Sequence, residues 1–332
     1  MQLKNYIIIL KLLAIIFVTT LNSFAQETEV KNKMQKDIYL TKPTLNGHSF
    51  SNISSLKSPF INSSFNIIVG AGQSVGFELP AIEIDTFKFK PVKGDVAFSV
   101  INFEYKAKLR DWLSFWIDFQ LNGRLGTELR SVFSQGVNVS TGYEFGWLFK
   151  LWENHKNMLS GAVKVVNMNY SVIDLKGYVE NIIQTGEISD NNILFQSVPS
   201  LSFSGELRHA VAFNKSLGLS SYIEFGAGEP INRDEDLETM LLLGVAADYD
   251  LLPKSDIPIG FSLGYFQNSK PKLSDERFTN PQNIISKISY TGSKDMNAGI
   301  EISYEWSKPN VSNTDSIILK FVNIYGNFRY YF

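Results

Sequence analysis

Residues 97–124 read AFSVINFEYKAKLRDWLSFWIDFQLNGR. Ala97, Ser99, Ile101, Phe103, Tyr105, Ala107 and Leu109 fall on one side of a period of two, and Asn102, Glu104, Lys106 and Lys108 on the other. Arg110 and Asp111 then supply a turn. Beyond it Leu113, Phe115, Ile117, Phe119 and Leu121 alternate with Trp116, Asp118, Gln120, Asn122 and Arg124. The stretch predicts two antiparallel strands, each with one greasy and one polar face. At a dozen or so residues each, they exceed the roughly five or six usual in soluble proteins.

The same rhythm recurs along the chain. Val139, Thr141, Tyr143, Phe145, Trp147 and Phe149 alternate with Ser140, Gly142, Glu144, Gly146 and Lys150. Similar rows start near 201, 217, 259 and 296. A soluble β-sandwich also alternates, but long strands and aromatics gathered on the greasy rows favour a transmembrane barrel. Short connections near 110–111, 152–157, 214–215, 252–256 and 292–295 alternate with long ones near 73–94, 126–136, 173–197, 229–237, 269–281 and 308–314. The expected fold is therefore all-β: a transmembrane antiparallel up-and-down β-barrel of about twelve strands. Short turns would lie on the periplasmic side and long loops on the extracellular side. The phase of 162–170 switches faces, so a β-bulge is expected there.

Composition removes several functions. Lys+Arg of 31 against Asp+Glu of 33 gives a net charge of -2, which excludes a basic nucleic-acid binder. With Cys at 0 there is no thiolate metal site, no disulfide framework and no Cys nucleophile. Three histidines (His48, His155 and His209) are too few for a His-rich metal site, and no metal or cofactor is expected. The first 25 residues read as a secretory signal. Lys4 precedes an apolar run over 6–18 interrupted by Lys11, and Ser23, Phe24 and Ala25 precede Gln26 in a cleavage pattern. Residues 26–61 are a polar segment, either a plug folded into the lumen or a loose periplasmic tail. The barrel would occupy 62–332.

The chain closes on Val322, Ile324, Gly326, Phe328, Tyr330 and Phe332, alternating to a final aromatic. This resembles the terminal β-signal of Gram-negative outer-membrane barrel proteins. The resemblance implies Val322, Ile324, Phe328, Tyr330 and Phe332 as an insertion signal read by the barrel-insertion machinery. It also implies the cell outer membrane, with its lipid and lipopolysaccharide as neighbours. More loosely, the chain is similar to long-chain fatty-acid transporter type barrels, which share a signal, an N-terminal plug segment and a barrel. The count of about twelve strands falls short of their fourteen.

Candidate functional residues lie on the lumen row. Its charged members are Glu104, Lys106, Asp118, Arg124, Glu144, Lys164, Glu206, Arg208, Glu224, Asp248, Glu301 and Arg329. They suit either a paired structural network or a water-filled selective path. Phe98, Val100, Met240, Leu242, Phe266 and Phe321 form an apolar outer mouth, suited to a small apolar ligand or to packing by an inward loop. The expected function is a channel or transporter for a small apolar or amphipathic molecule. The alternative is a non-transporting subunit of a secretion, assembly or uptake complex, with protein partners. An enzyme is not expected. His209 sits on the outward row, yet Val211 follows it where a hydroxyl would be needed, and no nucleophile is read at the adjacent outward positions. Asp174 could cap a short helix through Leu175, Tyr178, Val179, Ile182 and Ile183, as a lid or as rim packing. Asp234, Glu235, Asp236 and Glu238 read as a solvated acidic loop, not a calcium site.

Overall fold

Alternation with a period of two has a definite consequence once strands pair: one residue set must face the same side throughout. A computed structural model describes residues 42–75, 97–124, 139–173, 195–229, 238–269, 281–307 and 319–332, with four short pieces at 77–79, 82–84, 87–89 and 92–94. Twelve strands form one closed antiparallel barrel. They are β1 (Ser64–Ser74), β2 (Ala97–Arg110), β3 (Leu113–Arg124), β4 (Val139–Glu153), β5 (Asn157–Ile173) and β6 (Phe195–Ala212). Then come β7 (Leu217–Gly228), β8 (Glu238–Asp250), β9 (Ile259–Ser269), β10 (Gln282–Tyr290), β11 (Met296–Ser307) and β12 (Leu319–Tyr331). Each pairs with its successor, and β12 closes on β1 from Phe321↔Ser74 to Tyr331↔Ser64. The expected count and topology hold.

Five short connections gather at one end, with the start of β1 and the end of β12. The connection from 251 to 258 contains a single turn of helix, α1 (Leu252–Ser255), ended by Asp256 at φ 55. Among the described residues no helix is long and apolar enough to cross a membrane. Within the first long connection, Phe77–Leu79 pairs with Val92–Gly94 and Ile82–Ile84 with Phe87–Phe89. Pro80 and Pro91 stand between these ladders in sequence, and proline cannot donate to a ladder. The expected signal (1–25), the candidate helix over 174–183 and Asp234 to Asp236 lie outside the described residues.

One expectation is corrected. No bulge interrupts 162–168: β4 and β5 stay in register from Gly142↔Met168 to Lys150↔Ser160, and the shift falls between Lys150 and Trp152. The face switch has another cause. Val166 and Met168 are apolar residues pointing into the lumen, where they line a cavity.

The outside of the barrel is apolar. Phe203, Phe225, Leu263 and Ile288 are each more than half exposed. Aromatic pairs lie toward both ends of this surface as well as along it. Near the short turns, Tyr105 stacks on Phe332 at 5.9 Å and Trp112 on Phe149 at 6.3 Å. Toward the long loops, Tyr304 and Trp306 pack at 5.6 Å.

The packed core is therefore inside the lumen. Residues 42–62 lie there, opening with a tight hairpin that pairs Thr44–Leu45 with His48–Ser49. Its turn is Asn46-Gly47, both at positive φ (49 and 76), the conformation that Asn-Gly turns favour. The segment's few apolar side chains do the packing. Phe50 and Phe60 cluster with Met158, Ala210 and Ala212, while Ile53 and Leu56 cluster with Tyr222, Ala246, Phe266 and Ile285. Small residues on the barrel wall make the room. A Cβ on Gly218 would stand 2.5 Å from His48 and 2.7 Å from Phe50, and one on Gly264 would stand 2.2 Å from Ile53.

Each fully buried side chain of this kind contributes about 1.5–3 kcal/mol. Phe50→Ala should therefore weaken docking of the segment by about 3 kcal/mol, cavity included, while the barrel stays closed. Limited trypsin digestion with mass spectrometry should show faster cleavage after Lys57 in this variant. Heat-modifiable mobility on a gel should be unchanged.

Candidate functional site in the lumen

The inward row carries charge along the middle of the strands, where the greasy row carries none, and closure brings that charge together. Glu104, Asp118 and Glu144 are direct partners across β2, β3 and β4. Glu206 and Glu224 are direct partners across β6 and β7. Like charges placed opposite each other repel, so each group needs a cation. Lys164 serves the second group, with Nζ 2.9 Å from both Glu206 and Glu224 and 3.3 Å from Glu144. Arg208 grips Glu206 through Nε at 2.6 Å and lies over the Trp116 ring at 4.6 Å. Trp116 donates its indole N–H to Glu144 at 2.7 Å.

Lys57, from the N-terminal segment, serves the first group. Its Nζ lies 3.1 Å from Asp118, 3.2 Å from Glu144 and 3.7 Å from Glu104. Arg329 reaches Glu104 at 3.2 Å from the other side, and the Asn102 amide donates to Asp118. Other lumen groups bind the segment's backbone. Lys106 donates to the Phe60 carbonyl at 2.5 Å, Ser160 to that of Pro59 at 2.6 Å and Arg208 to that of Ser58 at 3.2 Å. Lys287 donates to the carbonyls of Ser51 and Asn52 and pairs with Glu301 at 3.2 Å. Glu301 in turn accepts from the Ser54 backbone N–H at 2.9 Å. Asp248 accepts from the hydroxyls of Ser51 and Ser262. The barrel thus holds the segment by its main chain as well as by its side chains, and the carbonyl contacts fix its path.

A cavity of about 310 Å³ lies against this network. Lys57, Glu104, Asp118 and Glu144 form its charged part, with Asn66, Asn102 and Gln120 beside them. Ile68, Val100, Val166 and Met168 form an apolar wall. Of the other residues read as an apolar mouth, Phe98 and Phe321 pack edge to face at 6.2 Å and Met240 sits against Gly226. Leu242 and Phe266 pack instead on the cluster holding Ile53 and Leu56 of the segment. Arg124 ends β3 on the inward row, and its side chain lies outside the described residues. Val322, Ile324 and Tyr330 face outward, and Phe332 stacks on Tyr330 at 6.4 Å.

Sequence reasoning missed Lys57, which alternation cannot find because it lies outside any strand. It also missed Ile68, Asn66, Val166 and Met168, all legible once the inward parity of β1 and β5 is known. One expectation about His209 is corrected: Ser221 stands directly opposite it on β7. The hydroxyl is a cross-strand neighbour that reading along one strand does not reveal, and no hydrogen bond joins the pair. Among the described residues no group of three or more His, Asp or Glu side chains could hold a metal ion.

No protein-family model and no curated protein sequence matches the chain. Among solved structures it is similar to the KdgM porin, at 10% identity and a TM-score of 0.41 over 80% of this chain and 99% of that one. It is similar to the Pseudomonas putida toluene transporter TodX, at 9% and 0.42 over 88% and 96%. A third is the β-domain of the Bordetella autotransporter BrkA, at 10% and 0.45 over 82% and 100%. At this level of likeness no property of those proteins transfers to this chain, and the barrel rests on its own strand pairing.

Two predictions follow from these contacts. Lys164→Met leaves Glu206 and Glu224 facing each other without their shared cation. It should cost about 3–5 kcal/mol in reversible urea unfolding of the folded barrel in micelles, more than Lys150→Met at a partly exposed pair.

The second concerns pH at the start of the segment. Burial pulls the Lys42 ammonium down from 10.5 to about 8, and burial likewise pulls His48 below 6.5. Both groups hold fewer protons docked than released. Docking thus gains as pH rises from about 8 to 10.5 through Lys42, and as pH rises to 6.5 through His48. A nitroxide on Thr44→Cys should grow more mobile as pH falls through each window, and Lys42→Met should remove the alkaline step.

Proposed function

We propose that this chain is an outer-membrane barrel that takes a small amphipathic molecule from its long-loop end. Its own N-terminal segment closes the lumen toward the short turns. The observation that carries this reading is the cavity of about 310 Å³, whose apolar wall meets a charged floor and whose base is the segment itself. Pockets of a few hundred Å³ with apolar walls and a few convergent polar groups are the usual small-ligand pattern. Membrane embedding is supported by the continuous apolar outward rows with their many aromatics, which match what a lipid bilayer requires of a barrel. A cleaved signal, insertion through the C-terminal residues ending at Phe332, and contact with lipopolysaccharide belong to the same proposal.

In this reading a molecule loses water against Phe98, Phe321 and Val100 and then settles against Ile68, Val166 and Met168 with its polar end on the charged floor. Passage onward requires residues 42–62 to move. The role in this reading is binding and transport. A second reading, a non-transporting subunit of an outer-membrane complex, is favoured by the density of paired lumen charges around the segment.

Planar-bilayer conductance separates the two. The mature protein should show little or no stepwise conductance, and a variant lacking 26–62 should show clear steps. Silence from both folded proteins would remove the channel reading and put the subunit reading first.

A further inference from the structure

The charged floor of the cavity narrows the class of ligand. Glu104, Asp118 and Glu144 stand in one row on three neighbouring strands, and all three line the cavity. The one cation they all share there is Lys57, a primary ammonium on a four-carbon stem, within 3.7 Å of every one, while Arg329 holds Glu104 and Lys164 holds Glu144 from the sides. Lys57 also lines the cavity, and its side chain keeps 20% of its surface accessible. The structure thus displays an alkylammonium in place, supplied by the chain itself.

Charge balance decides what else fits. An added anion would meet three carboxylates whose shared ammonium is already committed. Loss of Lys57 with nothing in its place would leave Asp118, a buried carboxylate between two others, without its ion-pair partner, which is costly even though Arg329 stays on Glu104 and Lys164 on Glu144. A second ammonium can replace the first with no change in net charge. Its carbon chain would then lie along Val100, Val166 and Met168, where Gly142 lets Met168 pack flat against β4.

We propose that the cavity takes a small molecule with a primary ammonium head and a short apolar chain, which displaces Lys57 from Glu104, Asp118 and Glu144 and so unlatches the N-terminal segment. This rests on the ligand-binding reading above and adds the ligand's chemistry and the residue it competes with.

The test is calorimetric titration of the mature full-length protein in dodecyl maltoside with hexylammonium, hexanoate and hexan-1-ol. Hexylammonium should bind saturably and at least about tenfold more tightly than hexan-1-ol, with no binding of hexanoate. Asp118→Asn should weaken hexylammonium by about tenfold and leave hexan-1-ol unchanged. Lys57→Met should bind hexylammonium more tightly than the parent, because the internal competitor is gone. If that variant does not fold, the parent and Asp118→Asn decide the matter. Hexylammonium should also speed tryptic cleavage after Lys57, and binding without that acceleration would overturn the exchange. Equal binding of all three probes, or preference for hexanoate, would overturn the inference while the ligand cavity stands. Binding of none would overturn both.

Discussion

Closure of β12 on β1 is the constraint from which the rest of the molecule follows. An open sheet of twelve strands would leave two edges of unpaired backbone groups, which a bilayer cannot solvate. Closure removes both edges, and it also fixes parity: each strand must place one set of side chains inside and the other outside. That is why Glu104, Asp118 and Glu144, separated widely in sequence, end in one row. It is equally why the greasy rows, which would be a defect on a soluble surface, form one continuous outer face.

A closed barrel of this size has a lumen to fill. Here small wall residues (Ala162, Ala210, Ala212, Gly218, Ala246 and Gly264) stand among larger ones such as Trp116, Leu148 and Met158, and residues 42–62 occupy the space the small ones leave. The two kinds of force on the segment act differently. Phe50, Ile53 and Phe60 supply burial without direction, whereas Lys106, Ser160, Arg208 and Lys287 hold successive carbonyls and set the path. The charges follow from that filling, since carboxylate rows in a confined lumen are tolerable only when cations interleave them. Lys164 comes from the wall and Lys57 from the segment. The second of these makes the segment part of the barrel's electrostatics as well as of its packing.

Much of this was legible in the chain. Alternation over 97–124 and its recurrences carried the strand type, and the spacing of short and long connections carried the topology. Inward parity carried the charged lumen residues. The Asn46-Gly47 pair is a readable turn signal inside a polar segment whose composition suits either a lumen plug or a loose tail. Its scattered Phe50, Ile53, Leu56 and Phe60 have no helical or strand period, so nothing local marks them as a core. Ser221 opposite His209 shows the same limit from another side, because register between strands joined by a turn must be known to the residue before such a pair appears.

What the sequence by itself determined is therefore periodic: which residues share a face, roughly how many strands there are, and which side of the wall is charged. These depend on spacing along one strand and need no partner. Only the tertiary structure decided that Lys57 meets Glu104, Asp118 and Glu144, that Leu242 and Phe266 pack on the segment, and that Val166 and Met168 wall a cavity. Each of those depends on distance across the lumen, which closure sets and which no local pattern encodes.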